Sequence, residues 1–159
     1  MNTFQLKPIS KAGVERALRK GERYRLLNES WQAERICRDV LEVDKDNQEA
    51  NIALVLATTD QFKSEGPGRA DEARTIAARL SGPYERAYYS GIVFERRGTA
   101  LLARRIGTGP MVYDWLRQAM QWYEQAEPIR PSGNDDCVLR WNTCARLIMR
   151  HHELHPDDS

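Results

Sequence analysis

The sequence lacks the long apolar segments that membrane proteins carry. No run in its 159 residues approaches the roughly 20 apolar residues that a spanning helix requires. The N-terminal segment also has no apolar stretch of the kind found in secretory signals, so we expect neither export nor a membrane partner. The composition, with 41% hydrophobic and 30% charged residues, is that of a globular protein.

Cysteine is scarce, and the three that occur are Cys37, Cys137 and Cys144. A small, odd number argues against a disulfide framework and favours a reducing compartment, which predicts a cytoplasmic protein. Cys137 and Cys144 are two turns apart in one predicted helix, about 10 Å along its axis, which is beyond disulfide reach. We expect all three to be small buried side chains.

Motifs for catalysis and cofactor binding are absent from the sequence. It contains no glycine-rich dinucleotide loop, no Walker loop and no nucleophile elbow. His151 and His155 have the spacing of metal ligands on a helix, but no glutamate accompanies them and they lie near the terminus. The sequence therefore predicts a protein that is not an enzyme and that has no cofactor and no metal site.

The charges nearly cancel in number but are unevenly distributed. The sequence contains 24 basic and 23 acidic residues. This balance excludes the overall basic character of a nucleic-acid coat protein and makes nucleic acid the less favoured partner. Residues 1–28 carry a net charge of +5, whereas residues 29–49 carry −4. Adjacent helices that neutralise each other are the simplest interpretation of this difference.

Glycine and proline divide the sequence into predicted helices, and no strand-like alternation occurs. Residues 63–68 are predicted to form a loop. The predicted helices cover residues 12–27, 30–43, 48–62, 70–80, 84–106, 112–127 and 135–152.

The fifth predicted helix is unusually long, and Gly98 leaves open whether it is one helix or two. A single helix would extend beyond its neighbour by roughly two turns. Its end would carry Arg97, Arg104 and Arg105 as a docking point for an acidic partner or a second subunit. A break at Gly98, with the arginines simply solvated, is the alternative.

Alternate helices share a stripe of small and apolar residues with spacings of four and seven, which places each stripe on one helix face. Each stripe begins with an alanine, and these are Ala33, Ala73 and Ala119. We expect the three alanines to be buried at helix crossings. A second repeated pattern is a glycine followed three residues later by an aromatic residue, in Gly21 with Tyr24 and in Gly91 with Phe94.

A glycine, an aromatic residue three positions later and an alanine nine positions after that resemble the tetratricopeptide repeat. The first unit shows the pattern best, with Gly21, Tyr24 and Ala33. The opening tryptophan of the motif is missing in each unit, and Val55 replaces the middle glycine. The resemblance implies an all-α fold, in which antiparallel helical hairpins stack as a short right-handed α-solenoid of three repeats with the last helix as a cap.

The resemblance also implies a domain organisation. Residues 1–11 form an N-terminal arm, residues 12–152 form a single domain and residues 153–159 form a flexible tail. We expect Trp122 and Trp141 to fill the core between the last helices.

The function implied by the resemblance is non-catalytic binding of a peptide or helix in a concave groove. The family's groove positions correspond here to Leu18, Glu22, Arg25, Ile52, Leu56, Tyr88, Ile92, Glu95 and Arg96. Leu18 and Glu22 stand where the family's carboxylate clamp requires lysine and asparagine, so we do not expect a receptor for chaperone tails. The expected partner is an unidentified protein or peptide. A homodimer and a nucleic-acid-binding repeat protein that uses the arginine clusters are the alternatives.

Overall fold

The computed structural model describes residues 2–64 and 69–159. These residues form α-helices and two 3₁₀ turns with no strand among them, which confirms the all-α prediction. Residues 65–68 of the predicted loop lie outside the described residues. The helices are α1 (Val14–Leu26), α2 (Ser30–Val43), α3 (Gln48–Asp60), α4 (Arg69–Ala78), α5 (Pro83–Arg104), α6 (Gly109–Ala126) and α7 (Asp136–Arg150), and the 3₁₀ turns are Lys11–Gly13 and Glu127–Ile129.

Local chemistry accounts for where α5 and α6 begin. Pro83 and Pro110 lie in the first turns of these helices, where a backbone N–H would have no partner within the helix. The hydroxyl of Thr108 accepts a hydrogen bond from the Met111 N–H at 3.3 Å and caps α6. Gly82 precedes α5 with a φ of 89°, a conformation that glycine adopts without steric cost.

The chain divides into two compact units, one up to Thr58 and the other from Thr59 onward, and the boundary lies within α3. In unit 1, α1 packs against α2. The core of unit 1 contains Leu18, Val40 and Ala50. In unit 2, α5 packs against both α4 and α6, and α6 also packs against α7.

The small residues lie where the repeated stripes predict. Ala33 is 1% exposed, and Ala73 and Ala119 are fully buried, which confirms their predicted burial. The close contact that a small residue permits is clearest between α5 and α6. A Cβ atom on Gly91 would lie within 2.9 Å of three carbons of the Tyr123 ring, so a side chain at position 91 would force this crossing to shift.

One continuous helix, α5, covers residues 83–104, so there is no break at Gly98. Gly98 faces α6, and a Cβ atom there would lie 3.2 Å from side-chain atoms of both Leu116 and Trp115. Packing against α6 therefore offsets the helix-breaking tendency of glycine.

The end of α5 does not extend freely beyond its neighbours, which corrects the predicted two-turn overhang. Leu101, in the last turn of α5, is 4% exposed. Leu101 lines a cavity together with Val112 from α6 and Leu154 from the C-terminal segment. Leu154 itself is buried, although it belongs to the segment expected to form a tail. The side of the last turn that carries Leu101 is therefore covered by the chain that follows it, while Ala103 and Arg104 are exposed.

Candidate functional site

The groove residues predicted in unit 1 differ in accessibility. Leu18 is buried in the core of this unit, where it packs with Val40 and Ala50. Glu22 is exposed, and the remaining three residues are half-buried, namely Arg25, Ile52 and Leu56. Leu18 therefore belongs to the core of unit 1, and this corrects its assignment to an open groove.

The groove residues predicted in unit 2 are mostly internal. Tyr88, Ile92 and Glu95 are 8%, 1% and 6% exposed. Arg140 on α7 contacts both Tyr88 and Glu95, so a side chain of α7 covers part of this face of α5. The burial of these three side chains corrects their assignment to an open groove.

Five side chains from α5, α6 and α7 form a hydrogen-bonded cluster, which we call the Glu95 network. Glu95 Oε2 accepts a hydrogen bond from Arg140 Nη1 at 2.7 Å. Glu95 Oε1 accepts one from the Tyr123 hydroxyl at 3.2 Å and one from the Cys144 thiol at 3.4 Å. Arg140 Nε donates to the Tyr88 hydroxyl at 3.0 Å. One buried carboxylate thus joins three helices of unit 2.

Electrostatics keep the donors of the Glu95 network protonated. Burial raises the pKa of the Tyr123 hydroxyl and of the Cys144 thiol, and the neighbouring Glu95 carboxylate raises both further. Burial lowers the pKa of Arg140, but the attraction of Glu95 outweighs it and the net pKa is raised. The network is therefore a set of fixed donors around one carboxylate, which is an arrangement that stabilises a fold.

The other two cysteines are also poor nucleophiles. Burial raises the pKa of the Cys37 thiol to about 11 and also raises the pKa of Cys137. All three thiols are free and buried, as the sequence predicts. Since the thiolate is the reactive form, these environments suppress thiol chemistry.

We expect the three cysteines of the native protein to react slowly with a disulfide reagent such as DTNB at pH 8. A thiol whose pKa rises from 9.0 to about 11 has roughly a hundredfold less thiolate at this pH. Stopped-flow absorbance measures the rate, and the urea-unfolded chain, which should react rapidly at all three thiols, is the control. A native thiol that reacts at the unfolded rate contradicts the burial described above.

The Arg96 side chain is held in place by residues of unit 2. Its Nη1 donates to the Thr59 hydroxyl at 2.9 Å and forms an ion pair with Asp60 at the end of α3. About a fifth of each side chain in the ion pair is exposed. Arg96 therefore joins α3 to α5 within unit 2, and its guanidinium has a carboxylate partner there.

The second predicted cluster, Arg97, Arg104 and Arg105, lies toward the end of α5. Arg97 is half-buried, whereas Arg104 and Arg105 are exposed. Burial and the nearby guanidinium of Arg104 lower the pKa of Arg97, which indicates that these two cations are close. Arg105 ends α5 in a left-handed conformation with a φ of 54°.

One open cavity of unit 2, with a volume of about 540 Å³, lies among α4, α5 and α6, and we call it the α4–α6 cavity. It is lined by Asp71, Arg74, Thr75 and Ala78 from α4, by Arg86, Ser90 and Phe94 from α5, and by Trp122 from α6. Phe94 and Trp122 provide adjacent aromatic rings whose centroids are 6.5 Å apart. The cavity is therefore lined by two cationic side chains beside two aromatic rings.

The two arginines of the α4–α6 cavity are positioned by their surroundings. The Arg74 guanidinium lies over the Phe94 ring, 5.0 Å from its centroid. Asp71 is 3.8 Å from Arg74, at the limit of an ion pair. Arg86 Nη1 donates to the Leu80 carbonyl at 3.0 Å, shortly after the end of α4. Two planar donor groups beside aromatic rings are suited to a carboxylate with an apolar neighbour.

Sequence reasoning missed this cavity because its residues come from three helices. Arg74 and Arg86 belong to no motif, and Trp122 is half-buried at the cavity instead of filling the core. One available signal was that Arg74 lies one residue after Ala73, which begins the buried stripe of α4. A large cation next to a helix crossing lies at the edge of the interface, where it can cover a neighbouring ring.

Comparison with protein-family models, curated proteins and solved structures finds no match to this chain. Within residues 2–64 and 69–159, no helix has both the length and the apolar character of a membrane span. The same residues contain no group of three or more histidine, cysteine or acidic side chains arranged to hold a metal ion.

Proposed function

We propose that the protein is a non-catalytic interaction module that binds a peptide or helix of a partner protein, with its helices arranged as tetratricopeptide-like hairpins. The single observation that carries this proposal is the α4–α6 cavity. Its volume of about 540 Å³ lies within the range of roughly 300–1,000 Å³ that is common for ligand sites. Its lining provides two guanidinium groups, one carboxylate, hydroxyl groups and aromatic rings, and it contains neither histidine nor cysteine.

The character of the lining favours an acidic peptide segment. Arg74 and Arg86 offer planar donors to a carboxylate, while the half-buried Trp122 ring, next to the largely buried Phe94, offers an apolar surface beside them. Arginine and aromatic residues are also the types that contribute most to binding energy in protein interfaces. The expected ligand therefore has an aspartate or glutamate next to an apolar side chain.

The hairpin arrangement is supported by the three buried alanines and by the packing of consecutive helices. Ala33, Ala73 and Ala119 begin stripes on the second helix of each proposed hairpin, and all three are buried. Within the units, α1 packs on α2 and α5 packs on α6, as two hairpins would. Each hairpin of such a repeat buries its apolar face against its neighbours.

A peptide-display selection against the whole chain tests the proposed function. We expect enrichment of short peptides that carry an acidic residue beside an apolar one. Arg74→Glu should weaken their binding at least about tenfold, equivalent to about 1.4 kcal/mol, because it replaces a cation of the cavity with a carboxylate. Fluorescence anisotropy with the enriched peptides measures the change in Kd.

The matched control is Arg79→Glu, which makes the same charge change at an exposed position outside the cavity lining. It should leave Kd within about twofold of the unmodified chain. Circular dichroism should show equal helicity in both variants. Failure to enrich any peptide, or equal binding by the two variants, counts against the α4–α6 cavity as the binding site.

A further inference from the structure

The outward face of α1 in unit 1 carries a second surface, which the proposed function does not use. The opposite face of this helix is committed to the core, since Leu18 and Gly21 are buried and Val14 and Ala17 pack partly against the same cluster. The outward side chains surround a shallow cavity of about 560 Å³. Its lining consists of Arg16, Arg19, Lys20, Arg23, Tyr24 and Leu27, which we call the α1 surface.

The cations of the α1 surface follow the helix in a line. Arg16, Lys20, Arg23 and Leu27 have offsets of 0, 4, 7 and 11, which places them along one side of α1. Eleven residues of helix span about 16 Å. The three cations and the terminal leucine therefore form a stripe about as long as three turns of a second helix.

Little in unit 1 neutralises this stripe. Arg19 pairs with Glu15 at 2.7 Å, one turn earlier on α1. For Arg16, Lys20 and Arg23, no ion pair or side-chain hydrogen bond is found among the described residues. Neighbouring cations on one helix face repel each other. A ligand that supplies carboxylates at matching positions would relieve this repulsion.

The stripe ends in exposed aliphatic side chains, and this feature identifies the kind of ligand. Leu26 is 82% exposed and Leu27 is 64% exposed. A phosphodiester backbone would contact the cations but would leave both leucines in water. A lipid surface requires an apolar helix face that can insert, whereas the apolar face of α1 is already packed in the core. A helix that carries both carboxylates and an aliphatic side chain would contact the cations and the leucines together.

We propose that the α1 surface docks an acidic amphipathic helix of a partner protein. Carboxylates at offsets of 0, 4 and 7 on that helix face Arg16, Lys20 and Arg23, and an aliphatic side chain one turn beyond packs on Leu26 and Leu27. The surface lies in unit 1 and shares no residue with the α4–α6 cavity. Each of the two proposals can therefore be refuted without affecting the other.

The probe is a fluorescently labelled synthetic helix of about 20 residues, long enough to be helical in water. It has glutamate at offsets 0, 4 and 7, leucine at offset 11 and an alanine-rich remainder. We expect saturable binding to the whole chain with a Kd below about 100 µM, weakening severalfold as salt rises from about 50 to 200 mM. The same peptide with glutamine in place of each glutamate should bind at least about tenfold more weakly.

The decisive variant combines Arg16→Glu, Lys20→Glu and Arg23→Glu, and it should reduce the affinity for the acidic helix at least about tenfold. The control combines Arg79→Glu, Arg146→Glu and Arg150→Glu, which makes the same charge change at exposed positions in unit 2. Leu26→Ser with Leu27→Ser should weaken binding about threefold or more while leaving its salt dependence unchanged.

Four outcomes overturn the proposal. They are absence of saturable binding, equal affinity for the glutamate and glutamine peptides, equal loss in the decisive and control variants, and tighter binding to single-stranded oligodeoxythymidine or to phosphatidylserine vesicles than to the acidic helix. Circular dichroism verifies that each variant is folded. Light scattering on the unmodified chain adds a fifth, since dimers that the decisive variant abolishes would overturn the proposal by assigning the α1 surface to a second copy of this chain.

Discussion

Replacing Arg140 with methionine should lower the free energy of unfolding by about 3 kcal/mol, because it leaves the buried carboxylate of Glu95 without its cation. The Glu95 side chain is 8% exposed, and Arg140 Nη1 donates to it at 2.7 Å. Methionine retains most of the aliphatic length of arginine, so the loss reports mainly on the charge. Since 29% of the Arg140 side chain is exposed, we expect the lower end of the range for broken buried pairs.

Urea denaturation followed by tryptophan fluorescence measures this loss, since three of the four tryptophans lie in unit 2. Arg146→Met is the matched control on the same helix, and at this exposed position it should change stability by less than about 0.5 kcal/mol. Adding Glu95→Gln to Arg140→Met should restore at least half of the loss. Glutamine removes the buried charge while still accepting from Tyr123 and Cys144. A cost below about 1 kcal/mol for Arg140→Met would mean that the pair is not needed for stability.

The Glu95 network illustrates the limit of sequence reasoning for this protein. The family pattern predicts that the face of α5 with Tyr88 and Glu95 is open to a ligand. In the structure, Arg140 of α7, 45 residues beyond Glu95, contacts both side chains. Helical periodicity predicts which residues share a helix face, but it does not predict which distant helix contacts that face.

The helices themselves were predictable because their ends are marked locally. Glycine and proline divide the sequence, and each end of the seven predicted helices lies within three residues of the observed end. The division into two units is different. Its boundary falls between Thr58 and Thr59 inside α3, where no glycine or proline marks it.

The continuity of α5 shows how a tertiary contact decides what the sequence leaves open. Gly98 weakens a helix by about 1 kcal/mol relative to alanine, which is too little to predict either a break or a continuous helix. The choice is made by Leu116 and Trp115 of α6, which approach the glycine closely. The α4–α6 cavity arises in the same way, because Arg74, Arg86 and Trp122 become neighbours only when three helices pack.

The two glycines of the repeated glycine-x-x-aromatic pattern should respond in opposite directions to the same substitution. Gly21 lies inside α1, and a Cβ atom there would lie 3.6 Å from Ile36, an ordinary contact. Gly21→Ala should therefore stabilise unit 1 by up to about 1 kcal/mol, because alanine is the better helix former. Gly91 lies inside α5 against the Tyr123 ring, and Gly91→Ala should destabilise unit 2 by about 2 kcal/mol.

The clash with Tyr123 can be separated from other effects of the Gly91 substitution by making room for the added methyl group. Tyr123 is 1% exposed and donates to Glu95, so Tyr123→Leu is itself destabilising. In that background, however, Gly91→Ala should cost much less than in the unmodified chain, because the ring atoms that it meets are gone. Urea denaturation of the four proteins of this cycle gives the coupling energy, which we expect to exceed about 1 kcal/mol. An equal cost of Gly91→Ala in both backgrounds would show that the α5–α6 crossing does not depend on the contact between Gly91 and Tyr123.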